Sequence, residues 1–277
     1  MAVQEVPRSV HPLAPLPTPR AAASRVRPEP VDGGLKSVTT ALDLLDCFAH
    51  DEELGVSDLA RRLGVAKSTA HRLLSTLCAR GLTEQNPETG QYRLGLHLFE
   101  LGQLSQNRIR LRRTALPLLE ELREVSGWTI HLAIADGADV VYLERLETLR
   151  CMQLLAQASR RWPAHSTASG KAIAAFDPAV EQARRGAGFP WWTQNTIRSE
   201  RAFDKALAET RRQGVAISQG EARLGLTSVA APVRDATGRA RAAISVVGPA
   251  EDMAHDLNRP ARLVTVAARR LARSLAI

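Results

Sequence analysis

Residues 59–73 read Leu59-Ala60-Arg61-Arg62-Leu63-Gly64-Val65-Ala66-Lys67-Ser68-Thr69-Ala70-His71-Arg72-Leu73, and their spacing decides the fold of the first part of the chain. Ala60 is small where two helices cross closely, and Gly64, four residues on, supplies the tight turn. Leu59, Leu63, Val65, Ala70 and Leu73 fill the wedge between the helices. With the hydrophobes turned one way, Lys67, Ser68, Thr69, His71, Arg72, Ser75 and Thr76 are left outward. These are donors able to reach phosphates and base edges when such a helix enters the major groove of double-stranded DNA. The outward face of this helix, with Lys67, Arg72 and Arg80, carries no acid.

Working outward, Val38, Ala41, Leu42, Leu45 and Phe48 recur at spacings of three and four and predict a helix from Leu35 with one apolar stripe. Ser57 stands where a helix N-cap belongs, and Gly64 stops that helix. A third helix is predicted over 66–80, with Ala70, Leu73, Leu74 and Leu77 inward and Gly81 as its C-cap. Leu82-Thr83-Glu84-Gln85 and Gln91-Tyr92-Arg93-Leu94 then flank Asn86-Pro87-Glu88-Thr89-Gly90, a hairpin with turn chemistry in its middle. Three helices and a hairpin make a winged helix-turn-helix over residues 35–95. Arg93, in the wing, suits a phosphate or a narrow minor groove, and equally suits an ordinary exposed strand position. Cys78, beside Leu77, reads as packing. A linker helix follows over 96–108, with Arg108, Arg110, Arg112 and Arg113 marking the boundary.

The chain has 277 residues, 44% hydrophobic, 4% aromatic and 24% charged, with a formal net charge of +8. This is one large or two modest domains. No apolar run approaches the roughly 18 residues of a membrane helix. The first 30 residues hold seven prolines and no apolar signal region, so residues 1–34 read as a disordered Pro/Ala-rich tail. A DNA-scanning arm is the less favoured reading, since four arginines face three acids there. Cys47, Cys78 and Cys151 form no Cys-x-x-Cys pair, which excludes a disulfide scaffold and a cysteine-based zinc site and fits a reduced cytoplasm. The positive balance is uneven. Residues 35–105 hold seven Lys and Arg against nine Asp and Glu, whereas residues 106–277 hold 26 against 17. A solvated surface is the default reading of that second region.

Residues 109–277 read as an α/β domain. A helix is expected over 111–125, strands over 128–135 and 140–146 around the Asp136-Gly137 turn, and short helices over 169–176 and 203–213. Strands are expected over 215–218, 227–233 and 241–247, with a closing helix over 258–275. Enzyme motifs fail here on spacing. Ser169-Gly170-Lys171 puts serine two before lysine, where a Ser-x-x-Lys pair needs a helical turn, and no glycine stands five before Gly170 to make a P-loop. His131 and His165 are lone histidines, so no metal and no cofactor is expected. Ser166, Thr167 and Ser169 precede a helix start where unpaired N–H groups suit a carboxylate, and the same residues suit ordinary N-capping. Trp191-Trp192 reads as a loop that packs against or covers a pocket rather than as a stacking platform, because basic residues are not interleaved with it.

LGVAKSTAHRLLSTLCARGL and YRLGLHLFELG resemble the DNA-binding domain of the IclR family of bacterial transcriptional regulators. VVYLERLET, WPAHSTASGKAIAAF, FPWWTQNTIRS, QGVAISQGEARLGLTSVAAPVRDATG and AAISVVGPA resemble that family's effector-binding domain, in the same order, over about residues 36–276. The resemblance implies an α+β protein: a winged helix-turn-helix joined by a linker helix to a GAF-like effector-binding domain. It implies a repressor or activator, a homodimer or tetramer (a dimer of dimers) on palindromic operator DNA, and a small-molecule effector. Carried over by position, the effector pocket falls on Ala168, Ser169, Gly170, Ser218, Glu221, Ser228 and Ser245. Ser218 stands where relatives commonly have an acid, Ser228 where they have Cys, and Val247 where some acid-sensing members have Ser. Those departures imply a less polar pocket and a carboxylate or aromatic effector with an apolar body, walled by Leu143, Leu154 and Leu226. Two other readings stay open: a second domain that serves only oligomerisation, and an enzyme with an appended DNA-binding domain and Glu221 as its carboxylate.

Overall fold

A computed structural model describes residues 35–49, 51–108, 110–155 and 158–275; the tail over 1–34 and the side chains of 105–108, 153 and 154 lie outside the description. Helix α1 (Lys36–Asp46), a 3-10 turn over Cys47–Ala49, α2 (Val56–Leu63) and α3 (Lys67–Ala79) enclose a core of Leu44, Phe48, Leu59, Leu74 and Leu77. Only the C-terminal half of α1 reaches that core, so Val38 and Leu42, expected inward, are 52% and 59% exposed. Ser57 is not the cap of α2. The helix starts one residue earlier, at Val56, from an extended Gly55 and with no side-chain cap. Gly64 closes α2 in the left-handed region (φ 65°), and the Val65 N–H returns to the Ala60 carbonyl at 3.0 Å.

Strands β1 (Thr83–Gln85) and β2 (Tyr92–Leu94) form the hairpin, with Thr83 opposite Leu94, and Leu54 bridges to Tyr92. Helix α4 (Leu96–Arg108) starts against it: the Gly95 N–H donates to the Leu82 carbonyl and the His97 N–H to the Gly81 carbonyl. A Cβ on Gly95 would lie 2.2 Å from that Gly81 oxygen, so only glycine allows the backbones this close.

Beyond residue 109 come α5 (Arg110–Ser126), β3 (Thr129–Asp136), β4 (Asp139–Leu146), α6 (Leu149–Leu155), β5 (Arg161–Pro163), α7 (Ala168–Ala174), α8 (Pro178–Gly186), α9 (Glu200–Gln213), β6 (Ala216–Gln219), β7 (Leu226–Arg234), β8 (Ala240–Pro249), α10 (Ala250–Met253) and α11 (Asn258–Leu275). Strands β3 to β8 form one sheet in the order β5-β4-β3-β8-β7-β6, with every neighbouring pair antiparallel. The expected α/β character is therefore corrected to α+β: the strands arrive as the hairpins β3–β4 and β7–β8, joined by pairing β3 with β8. Sequence periodicity missed α6, β5, α8 and α10, which are short; α8 is marked only by the Asp177 cap and Pro178 in its first turn.

The sheet has two faces. On one, Ile130, Leu132, Val229, Ile244 and Val246 pack with Leu119 of α5 and Leu271 of α11. On the other, Ala133, Val140, Tyr142, Ala230 and Ala243 pack with Ile173 of α7 and with Phe203 and Leu207 of α9. Between β3 and β4 the register jumps: Leu132 is opposite Glu144, and Ala133 is opposite Tyr142. Leu143 is the extra residue of a β-bulge, so the alternation of β4 resets there. Tyr142 and Arg145, three apart, thereby share a face, while Leu143 packs on the α5–α11 side. Among the described residues no helix is long and apolar enough to cross a membrane.

Candidate functional site

Two arrangements stand out, one on the surface of α3 and one inside the second domain. On α3, burial of Ala70, Leu74 and Leu77 turns Lys67, Ser68, Thr69, His71, Arg72, Ser75 and Thr76 to solvent, and all seven are exposed. Ala66 precedes the helix without a side-chain cap, and the Ala70 N–H is the first to find a helical acceptor, in the Ala66 carbonyl. The N–H groups of Lys67, Ser68 and Thr69 are thus open to a phosphate at the positive end of the helix. Lys67 and Arg72 form no ion pair among the described residues. The hydroxyls of Ser75 and Thr76 donate back to the His71 and Arg72 carbonyls, both at 2.9 Å, so they face outward as acceptors. Arg93 is engaged: its Nε donates to Glu84 at 2.5 Å across the hairpin, and Glu53 stands 4.0 Å away. Glu53 also accepts from Asn86 and Thr89, and these hydrogen bonds hold its carboxyl below the usual range.

The second arrangement is a cavity of about 60 Å³ on the α7 side of the sheet. His131 on β3, Tyr142 and Arg145 on β4, Ser218 on β6, Leu226 and Ser228 on β7 and Val247 on β8 line its sheet wall. Register explains the convergence: His131 lies opposite both Arg145 and Ser245, and Ser228 lies opposite both Ser218 and Val247. Leu155, Ala158, Ser159, Trp162, Thr167, Glu221, Ala222 and Arg223 complete the lining.

Electrostatically the cavity is a cationic one with unsatisfied donors. His131 is 3% exposed, and both of its ring nitrogens are buried without a partner. Burial drives its pKa down to about 3, with the Arg145 and Arg160 charges adding to the effect, so the ring is neutral. Burial likewise pushes the Tyr142 hydroxyl up to about 12, against hydrogen bonding from Thr167 and Ser169. Arg145 donates to the Ala158 and Leu155 carbonyls and pairs with Glu147, but its buried Nε has no partner. Burial lowers Arg223 as well, and no acid opposes it.

Glu221 belongs to a support beneath this cavity. Lys171 Nζ, buried in α7, donates to both Glu221 carboxylate oxygens, at 2.6 and 2.8 Å, and to the Ile217 carbonyl at 2.6 Å. Burial lowers the lysine and raises the carboxyl, each shift opposed by the partner's charge. Thr193 holds the Gly220 carbonyl at 2.7 Å and Thr196 the Glu221 carbonyl at 2.5 Å, so the 193–196 turn clamps the segment that carries Arg223. Trp192 stacks edge-on against the cavity residue Trp162 (5.8 Å), while Trp191 is exposed beneath Arg198.

Of the residues named from sequence, Ser218, Glu221, Leu226 and Ser228 come together at the cavity. Ala168, Ser169 and Gly170 sit behind it in a buried α7. There Thr167, not a ligand, caps the helix by accepting the Gly170 N–H at 3.0 Å. Gly170 is close to protein: a Cβ there would lie 2.2 Å from the Ala164 carbonyl oxygen. Ser169 donates to Ser245 at 3.1 Å. Leu143 faces the other core because of the bulge, and the side chain of Leu154 lies outside the described residues. Sequence reading missed Tyr142, Arg145 and Arg223. Alternation along β3 opposite Ile130 and Leu132 would have turned His131 toward this face; the bulge that brings in Arg145 has no comparable signal.

The IclR helix-turn-helix domain matches residues 37–87, and the domain described as bacterial transcriptional regulator IclR C-terminal matches residues 103–273. The chain belongs to the IclR family. This IclR-family chain is 38% identical over 215 residues to the HTH-type transcriptional regulator XynR of Escherichia coli (strain K12), covering 76% of this chain and 85% of that one. It is 30% identical over 249 residues to the transcriptional repressor IclR of the same organism, covering 88% and 91%. Its fold is similar to an IclR homolog complexed with 4-hydroxybenzoate from Microbacterium hydrocarbonoxydans, with a TM-score of 0.74 at 27% identity over 86% of this chain and 98% of that one. As an IclR-family member it is a DNA-binding transcriptional regulator with an effector-binding C-terminal domain, and not an enzyme.

Proposed function

We propose that this regulator docks α3 in the major groove of a palindromic operator as a homodimer and responds to a small organic anion held in the cavity at His131. The observation that carries the reading of α3 is its uncapped, acid-free outward face. Lys67 and the first-turn N–H groups are placed for phosphates; Ser68, Thr69, His71 and Arg72 are placed for base edges, with Ser75 and Thr76 flanking them. Arg93, already paired with Glu84, takes a phosphate only by exchanging that partner. The dimer is supported by apolar surface on α1 and α4, where Val38, Leu42, Leu96, Phe99, Leu101 and Leu104 are all exposed. Two-fold pairing of such a face is what gives a palindrome its half-site spacing.

For the effector, an acid-free Arg223 and the unpartnered His131 favour an anion, while Leu155, Trp162, Leu226 and Val247 favour an apolar or aromatic body. Calorimetric titration of the whole chain with 4-hydroxybenzoate, larger carboxylates and two- or three-carbon acids tests this reading. Binding of the larger acids, with a matching change in operator affinity by gel shift, supports it. Binding of only the smallest acids overturns the apolar-body reading, and an operator affinity indifferent to every bound acid overturns the effector role. The DNA reading predicts that Arg72→Ala weakens operator binding by about 1–3 kcal/mol if Arg72 reads a base. Equal affinity of wild type and variant refutes that role.

A further inference from the structure

Helix α11 carries five arginines and no acid in 18 residues. Arg259 donates to the Val125 carbonyl, and Arg270 grips both oxygens of Glu121. The other three, Arg262, Arg269 and Arg273, are exposed and have no acid partner among the described residues. Their spacings of seven and four place them within about 40° of one line, about 10 Å and 6 Å apart along the helix. The opposite side of α11, with Val264, Ala268 and Leu271, is buried, so its whole solvent face is cationic. Solvated helix faces ordinarily interleave signs, and like charges at Arg269 and Arg273, four apart, cost stability unless a polyanion lies over them.

Location and charge indicate which polyanion. α11 runs antiparallel to α5, since Arg259 meets Val125 and Arg270 meets Glu121. Its C-terminal arginines therefore point toward the end of α5 at which the DNA-binding segment joins, and that end opens with the exposed Arg110 and Arg113. The DNA-binding segment itself supplies no basic surplus, with seven Lys and Arg against nine Asp and Glu over 35–105. Duplex binding draws much of its affinity from cations that displace phosphate counterions. We infer that the Arg262–Arg269–Arg273 stripe of α11 is a second DNA-contacting surface, which holds backbone phosphates of the duplex flanking the operator.

The test uses the full chain and a triple variant, Arg262→Ala with Arg269→Ala and Arg273→Ala, alanine being the residue most compatible with a helix. Binding is followed by fluorescence anisotropy on a site the protein selects from a random pool, extended by about two helical turns on each side, between 50 and 200 mM salt. Three phosphate contacts make the wild type lose about 40-fold more affinity than the variant across that range, at about 0.9 in log–log slope per contact. A difference below about 3-fold, less than one contact, overturns the inference. A lysine triple variant keeps the charge and should keep the slope. Should the alanine triple variant lose its calorimetric unfolding transition, Arg273→Ala alone carries the test, with about a 3.5-fold difference expected. Unchanged DNA binding with altered transcriptional output would assign the stripe to an acidic protein partner and overturn the DNA reading.

Discussion

Removing the carboxylate of Glu221 should destabilise the effector-binding domain more than its position on a loop suggests. Glu221→Gln leaves Lys171 charged at 4% side-chain exposure, with the Ile217 carbonyl as its remaining strong acceptor. Breaking a buried pair from one side costs about 3–5 kcal/mol, because the surviving ion keeps its desolvation penalty and loses its counter-charge. For a unit of this size that is a fall in Tm of about 6–20 °C, at about 2–4 °C per kcal/mol. Scanning calorimetry of the full chain reads it in the transition of the C-terminal domain, and separate transitions are expected for a two-domain chain. Lys171→Met should cost less, and less still as pH falls, because the abandoned carboxyl, already raised by burial, escapes its charge by taking a proton. The double variant Lys171→Met/Glu221→Leu removes both ions and should recover most of the loss. A Tm shift under about 2 °C for Glu221→Gln, or a double variant as unstable as that single one, would refute the buried-pair account.

Other consequences follow from particular contacts. His131 and His165, with pKa values lowered by burial to about 3 and 4, stay neutral in the folded chain at pH 5 while the unfolded chain protonates both. Their stability contribution is therefore present above about pH 6.5 and lost as pH falls toward 4, at up to about 1.4 kcal/mol per pH unit for each ring; denaturant melts of His131→Asn should show a flatter slope, and coincident slopes would exclude a buried neutral ring. Gly95→Ala puts a Cβ 2.2 Å from the Gly81 carbonyl oxygen, so the N-terminal domain should lose about 1–3 kcal/mol, with weaker operator binding and an unchanged C-terminal transition. Glu144→Gln, which severs the 2.6 Å pair with Arg112 of α5, should leave ligand-induced thermal shifts intact while shrinking the ligand's effect on operator affinity; an unaltered effect would exclude this pair from the coupling.

Legibility in the sequence followed the range of the interactions that make each element. Gly64, Gly81, Gly137 and Gly214 act locally, and each ends its helix or hairpin where the spacing predicts. The α3 face was readable for the same reason, since Ala70, Leu74 and Leu77 fix its orientation within one helix. Pairing of β3 with β8 spans more than a hundred residues and carries no local mark, so an antiparallel sheet was taken for α/β. The cavity shares that history. Ser218, Ser228 and Leu226 were found through a likeness in sequence, whereas Arg145 depends on a one-residue bulge and Arg223 on a loop clamped by Thr193 and Thr196. Gly170 shows the converse. Its need for space was legible, but the neighbour is the Ala164 carbonyl and not a ligand.

The bulge at Leu143 also bears on how a ligand could be felt at the DNA. In a regular strand Glu144 and Tyr142 would share a face, and Arg145 would point away from the cavity. The extra residue instead sets Arg145 on the cavity wall and Glu144 against Arg112 of α5, on opposite sides of the sheet and one peptide apart. α5 follows α4 in the chain, and α4 starts against the hairpin through Gly95 and Gly81. A ligand that pairs with the unsatisfied Arg145 Nε pulls on the same short segment that grips α5, and a packed sheet passes such a shift on as a change of arrangement rather than absorbing it. The opposite edge of the sheet offers no equivalent lever. Ser218 and Ser228 reach the cavity from β6 and β7, whose outward neighbours Val229 and Ala231 meet the helices through apolar contacts alone, and those slide without a fixed partner. Of the cavity's walls, β4 is therefore the one through which a bound anion can act on the DNA-binding segment by a directional ion pair.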